Sequence, residues 1–97
     1  MTRDELRKEI LDVLTIISGS NCSDLPGTAK PITDLGLKSE HGVDFAGEVE
    51  TRLKIKIDDK INPFVDDEKQ CARSLEEITD LVEKIVSGKN KEVGIHA

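Results

Sequence analysis

Leu35-Gly36-Leu37-Lys38-Ser39-Glu40-His41-Gly42-Val43-Asp44-Phe45, at the centre of residues 32–53, is the stretch whose reading decides the fold. A loop punctuated by Pro31, Asp34 and Gly36 stops at a serine, and an amphipathic segment follows. The spacing predicts a helix from Ser39 to about Leu53, with Val43, Ala46, Val49 and Leu53 on its inner face. Ser39 stands where a hydroxyl accepts from unpaired backbone amides, so N-capping is its plain structural role. A serine displayed at a loop–helix joint is also open to modification by another enzyme. Gly42 and Gly47 each weaken the helix by roughly 1 kcal/mol relative to Ala, and they leave room for a neighbouring helix or an arm.

On the N-terminal side, Thr2-Arg3-Asp4-Glu5 fits a capping box. Leu6, Ile10, Leu14 and Ile17 then recur at helical spacing until Ser18-Gly19-Ser20-Asn21 stops the run. Residues 21–38 read as a long loop broken by Pro26-Gly27 and Pro31 and pinned by Leu25, Ile32, Leu35 and Leu37. On the C-terminal side, Leu53 to Asp58 alternates apolar and polar residues. A lone strand there would have no partner, so an extended connector is expected. Ile61, Pro63, Phe64 and Val65 predict a short, irregular third helix within residues 59–73. Ser74-Leu75-Glu76-Glu77 repeats the capping box and opens a last helix, with Leu75, Ile78, Leu81, Val82, Ile85 and Val86 inward and an end at Ser87-Gly88. The expected fold class is all-α: a small four-helix bundle of three longer helices and a short third, with the long loop between the first two. Residues 1–88 make the domain and residues 89–97 a flexible C-terminal tail.

The chain has 97 residues, enough for one modest core. Its net charge of −6 disfavours nucleic acid, whose phosphates need clustered Lys and Arg, and favours partners with a basic patch. Phe45 and Phe64 are its only aromatics, which argues against base-stacking platforms. Two cysteines, Cys22 and Cys71, make no disulfide scaffold, and a reducing cytoplasm is the compartment expected. The N-terminus lacks a signal-peptide core, no apolar run approaches a membrane span, and the chain reads as a monomer.

Ile32-x-x-Leu35-Gly36-Leu37-x-Ser39, followed by Val43 and an acidic helix, resembles the acyl carrier protein family, and the likeness runs from about Leu6 to Val86. The family's usual Asp and Leu beside the serine are here Lys38 and Glu40, which suggests a specialised carrier with a dedicated pathway. The resemblance implies a 4'-phosphopantetheine arm attached covalently to Ser39, carrying acyl groups as thioesters for fatty acid, lipid or polyketide biosynthesis. Asp34, Gly36, Leu37 and Lys38 would form the neighbourhood of the arm and of the phosphopantetheinyl transferase. Val43, Ala46, Ile61, Phe64, Ile78, Leu81 and Val82 are core residues first, and by resemblance candidates to line an acyl cavity. The protein would not itself be an enzyme.

Glu40, Asp44 and Glu48 recur every four residues, with Glu50 close by and no Lys or Arg between Ser39 and Glu50. Like charges at that spacing repel, so stability does not explain them. By resemblance this face docks onto basic patches of synthases, reductases and acyltransferases. The same face suits an unmodified helical module that binds a basic partner, and only the covalent state of Ser39 separates the two readings. His41 has no orienting acid to make a Ser–His nucleophile. Cys22, Cys71, His41 and His96 lack zinc-ligand spacing, and Asp58-Asp59 and Asp66-Asp67-Glu68 lack the pattern of a calcium loop, so no metal is expected.

Overall fold

The computed structural model describes residues 2–96, with side chains described for residues 2–88. Among them are four helices and one two-stranded sheet: α1 (Arg3–Ser18), α2 (Pro31–Asp34), α3 (His41–Leu53), β1 (Val65–Asp66), β2 (Cys71–Ala72) and α4 (Leu75–His96). The fold is mostly helical, as expected. Its third short element is not.

Local chemistry sets the ends of α1. The Thr2 hydroxyl accepts from the Glu5 N–H at 3.2 Å, and the Glu5 carboxylate accepts from the Thr2 N–H at 3.0 Å. Gly19 closes the helix at φ 73°, a left-handed conformation that costs glycine little. The same reciprocal pair, Ser74 with Glu77, opens α4. Two amides at that end are satisfied by the long loop: Leu75 N–H donates to the Ala29 carbonyl at 2.7 Å and Glu76 N–H to that of Gly27 at 2.9 Å. The loop is therefore a structural part that seals a helix terminus. It also contains α2, where a loop was expected. Pro31 at the first helical position is compatible with a helix start, and the Asp34 carboxylate accepts from the Lys30 N–H at 2.7 Å.

Helix α1 packs on both α3 and α4. Leu6, Ile10, Val13 and Leu14 meet Phe45, Val49, Leu75, Ile78 and Val82 in one core. At its centre the Phe45 and Phe64 rings lie 5.1 Å apart at 47°, a tilted pair worth about 0.5–1.5 kcal/mol beyond its buried area. After α3, Ile55 and Ile57 point inward while Lys54 and Lys56 stay exposed, so the connector is extended as expected.

The expected third helix is a β-hairpin. Val65 pairs with Ala72 and Asp66 with Cys71, antiparallel, and Arg73 N–H donates to the Phe64 carbonyl at 2.8 Å just outside the ladder. Asp66 Oδ1 accepts from the N–H groups of Glu68 and Lys69, at 3.0 and 3.2 Å, so this aspartate builds the turn. An Asp that bonds the backbone two residues on favours a turn over a helix. Helix α4 also runs through Gly88, past its expected end, because one glycine weakens a helix without terminating it. The expected tail, residues 89–97, lies outside the described side chains.

Candidate functional site

Ser39 does not cap α3. The helix begins at His41, its N-cap is Glu40, and no side chain caps it. Residues 38–40 instead form a tight entry in which the N–H groups of His41, Gly42 and Val43 donate to the carbonyls of Lys38, Ser39 and Glu40, at 3.0, 2.9 and 3.2 Å. Those amides are met by main-chain oxygens three residues back, so the serine hydroxyl is not needed as a cap. Ser39 is exposed, and its hydroxyl has no hydrogen-bond partner among the described residues.

The turn is fixed by two residues that the sequence pattern does not assign to it. Asn62 Nδ2 donates to the Ser39 carbonyl at 2.9 Å, and Asn62 Oδ1 accepts from the Phe64 N–H at 2.9 Å. One amide thus ties the serine's backbone to the residue after Pro63, beside the core ring of Phe64. Gly42 makes the approach possible. A Cβ there would overlap the Asn62 side chain, so the space this glycine leaves is filled by an amide, not by a helix or an arm. The signal for Asn62 is the Asn62-Pro63 pair, which favours a turn whose side chain bonds the backbone two residues on.

From the other side, His41 Nδ1 accepts from the Lys38 N–H at 2.9 Å. That bond occupies the ring nitrogen and orients the imidazole toward its own loop. Gly36 has φ 68°, which turns the chain so that Leu37 is buried and its N–H reaches the Pro31 carbonyl at 3.3 Å. The Asp34 carboxylate is committed to the Lys30 N–H at the start of α2. The Leu35-Gly36-Leu37 signature therefore has a mechanical role, anchoring the loop one residue before Lys38.

Of the acidic residues, Glu40, Asp44 and Glu48 are exposed and form no ion pair among the described residues. Glu50 departs from them. Its Oε2 accepts from the Ile57 N–H at 2.8 Å, holding the connector, and it is half-buried. Val43, expected inward, is 73% exposed. At about 100° per residue the core stripe is set by Gly42, Phe45 and Val49, which leaves Val43 well off its axis, among Glu40, Asp44 and Gly47.

The residues expected to line an acyl cavity fall into separate settings. Phe64, Ile78 and Val82 are fully buried in the packed core, and Ala46 is half-buried against it. Ile61 and Leu81 each border a surface groove beside the hairpin.

Among the described residues no helix is long and apolar enough to cross a membrane, and no group of three His, Cys, Asp or Glu side chains could hold a metal ion. No family model, curated protein or solved structure matches the chain.

Proposed function

We propose that this protein is an acyl carrier, with Ser39 as the attachment point of a 4'-phosphopantetheine arm. The observation that carries the reading is the exposed Ser39 hydroxyl, without a partner among the described residues, on a turn held to the core by Asn62. A hydroxyl free of intramolecular bonds is available to an incoming enzyme, and a rigid backbone presents it in one place. In the modification, Ser39 Oγ forms a new P–O bond to the pantetheine-bearing phosphorus of coenzyme A. The diphosphate bond breaks, the adenosine bisphosphate half leaves with the electron pair, and the serine proton passes to a base on the transferase. The chain supplies the nucleophilic oxygen and its placement, and the transferase supplies the rest.

Glu40, Asp44 and Glu48, exposed on the helix that follows Ser39, support docking to basic patches on the transferase and on acyl-processing enzymes. Such contacts act more on encounter rate than on affinity, which suits a carrier that must leave each partner. The arm then raises the effective concentration of its cargo at the docked active site.

The test is intact mass after incubation with coenzyme A and a broad-specificity phosphopantetheinyl transferase, with Ser39→Ala as control. The expected result is a gain of one phosphopantetheine, absent from the control. No gain with this enzyme or with a transferase from the native host would leave an unmodified acidic module that binds a basic partner.

A further inference from the structure

The entry to α3 repeats, with one change of residue type, the device that starts α1 and α4. In those two helices a carboxylate three residues on accepts from a backbone N–H: Glu5 from Thr2 at 3.0 Å, Glu77 from Ser74 at 2.9 Å. At the Ser39 turn the same frame runs from Lys38 to His41, and the acceptor is an imidazole nitrogen at 2.9 Å. The return bond is present too, from His41 N–H to the Lys38 carbonyl at 3.0 Å. Main chain makes it, because a lysine side chain offers no acceptor. Ser39 and Glu40 are the two residues enclosed by this pair of bonds.

An imidazole is a different kind of acceptor from a carboxylate. Nδ1 accepts only while it carries no proton, so the neutral ring keeps its hydrogen on Nε2. The proton that charges the ring then goes to Nδ1, the atom at which the Lys38 N–H already points. Charge and bond exclude each other. Among the described residues no carboxylate stands within ion-pair distance of the ring, so nothing in place replaces the lost bond. The charges nearest in the chain draw an imidazolium outward. Glu40 precedes it and Asp44 lies three residues on, both exposed, while exposed Lys38 repels it from the loop. The segments before and beyond α3 supply no counter-charge: Asp34 is committed to the Lys30 N–H and Asp58 to the Lys60 N–H, and Asp59 and Lys60 are exposed. The side chain that reaches the turn from there is the neutral amide of Asn62.

We propose that His41 is a proton-operated latch on the Ser39 turn. The neutral ring holds the Lys38 N–H and fixes the turn together with Asn62. The imidazolium lets go and swings toward Asp44, leaving the turn to Asn62 and its own main-chain bonds. Imidazoles ordinarily change charge between about pH 5 and 8, so the latch holds at the upper end of that range and opens at the lower. Whatever meets Ser39 then finds it in one place when the ring is neutral and in several under mild acid. The device does not depend on what Ser39 carries, so it goes beyond the carrier reading and is tested without a transferase.

The test is a pair of nuclear magnetic resonance measurements on the unmodified protein at the two ends of the imidazole range, about pH 8 and about pH 5. The capping carboxyls of Glu5 and Glu77, held below 4.5, stay charged at both. Nitrogen–nitrogen coupling across the hydrogen bond from Lys38 N–H to His41 Nδ1 reports the bond itself. The heteronuclear Overhauser effect at Ser39 and Glu40 reports the order of the enclosed residues. The expected result is a coupling at the higher pH that vanishes at the lower, together with a fall in order at both residues. His41→Gln is the control, because glutamine suits the same place in a capping box and accepts without titrating. It should keep the same order at both pH values. Absence of the coupling at the higher pH would overturn the latch. Equal order at both pH values in the wild type would overturn it too, as would the same loss of order in His41→Gln.

Discussion

The side-chain amide of Asn62 holds the main-chain carbonyl of Ser39 at 2.9 Å, and its other end holds the Phe64 N–H. One residue thus links the exposed turn to the central aromatic pair. Asn62→Ala removes two hydrogen bonds, each worth about 1 kcal/mol. The expected outcome is a lower midpoint in urea denaturation together with faster hydrogen exchange at Gly42, whose N–H reports on the Ser39 turn. Unchanged exchange at Gly42 would mean that the turn is rigid without its clamp.

The helix glycines should respond in opposite directions. A Cβ added at Gly47 would meet nothing within 4 Å, so Gly47→Ala should stabilise by up to about 1 kcal/mol through helix propensity. Gly42→Ala gains the same propensity but displaces the Asn62 amide and its two bonds, for a net loss of about 1 kcal/mol. Thermal melts check both, since 1 kcal/mol moves the midpoint of a domain this size by about 4–8 °C.

Acid should loosen the starts of α1 and α4 together. The Glu5 carboxyl is held below the ordinary value of 4.5 by the Thr2 backbone N–H and hydroxyl, and that of Glu77 chiefly by the Ser74 backbone N–H. A depressed folded-state pKa means that the unfolded chain binds the proton first. The stabilisation is therefore complete above the unfolded value and is lost as the pH falls through the lower folded one. Stability measured from pH 6 downward should begin to fall near 4.5. The Glu5→Gln, Glu77→Gln double variant should show a flatter profile there.

Reversing the exposed acids should slow partner encounter without harming the fold. Asp44→Lys with Glu48→Lys keeps one like-charge pair, turns the Glu40 contact attractive and reverses the charge proposed for docking. Transferase KM should rise several-fold at low salt, and the difference should shrink at physiological ionic strength, where the Debye length is about 8 Å. A defect that did not depend on salt would point to steric contact in place of steering.

Lys38 is a separate lever. Its backbone N–H is engaged by His41, so Lys38→Asp keeps the loop bond while changing only the side chain. With a broad-specificity transferase, the carrier reading expects Lys38→Asp to be loaded faster than the wild type, because it restores the aspartate that the resembled family usually carries before the serine. Equal rates would assign the departure at Lys38 no part in transferase choice.

Much of this protein is legible wherever one stretch of chain satisfies its own hydrogen bonds. The capping boxes at Thr2–Glu5 and Ser74–Glu77 identify two helix starts, because donor and acceptor lie three residues apart. Alternation at Ile55 and Ile57 marks the connector. Val43 misleads because an apolar residue beside a glycine offers two competing stripes, and the register is settled by where Phe45 meets Phe64. The hairpin is hidden for a similar reason. Its strands are two residues long, its turn is charged, and what holds it is the Asp66 carboxylate on the turn amides and Arg73 N–H on Phe64, neither of which is a periodicity.

Residue order alone dictates a mostly helical chain, its acidic balance, the first and last helix starts, and Ser39 as the residue to examine. Three-dimensional packing was needed to show that the Ser39 hydroxyl does not cap the helix it precedes, that Asn62 clamps the Ser39 carbonyl, and that Glu50 braces the connector while Glu40, Asp44 and Glu48 stay exposed. The difference is one of range: caps and stripes are contracts between residues three or four apart, whereas Ser39 and Asn62 meet only after the whole of α3 and its connector have folded back on the core.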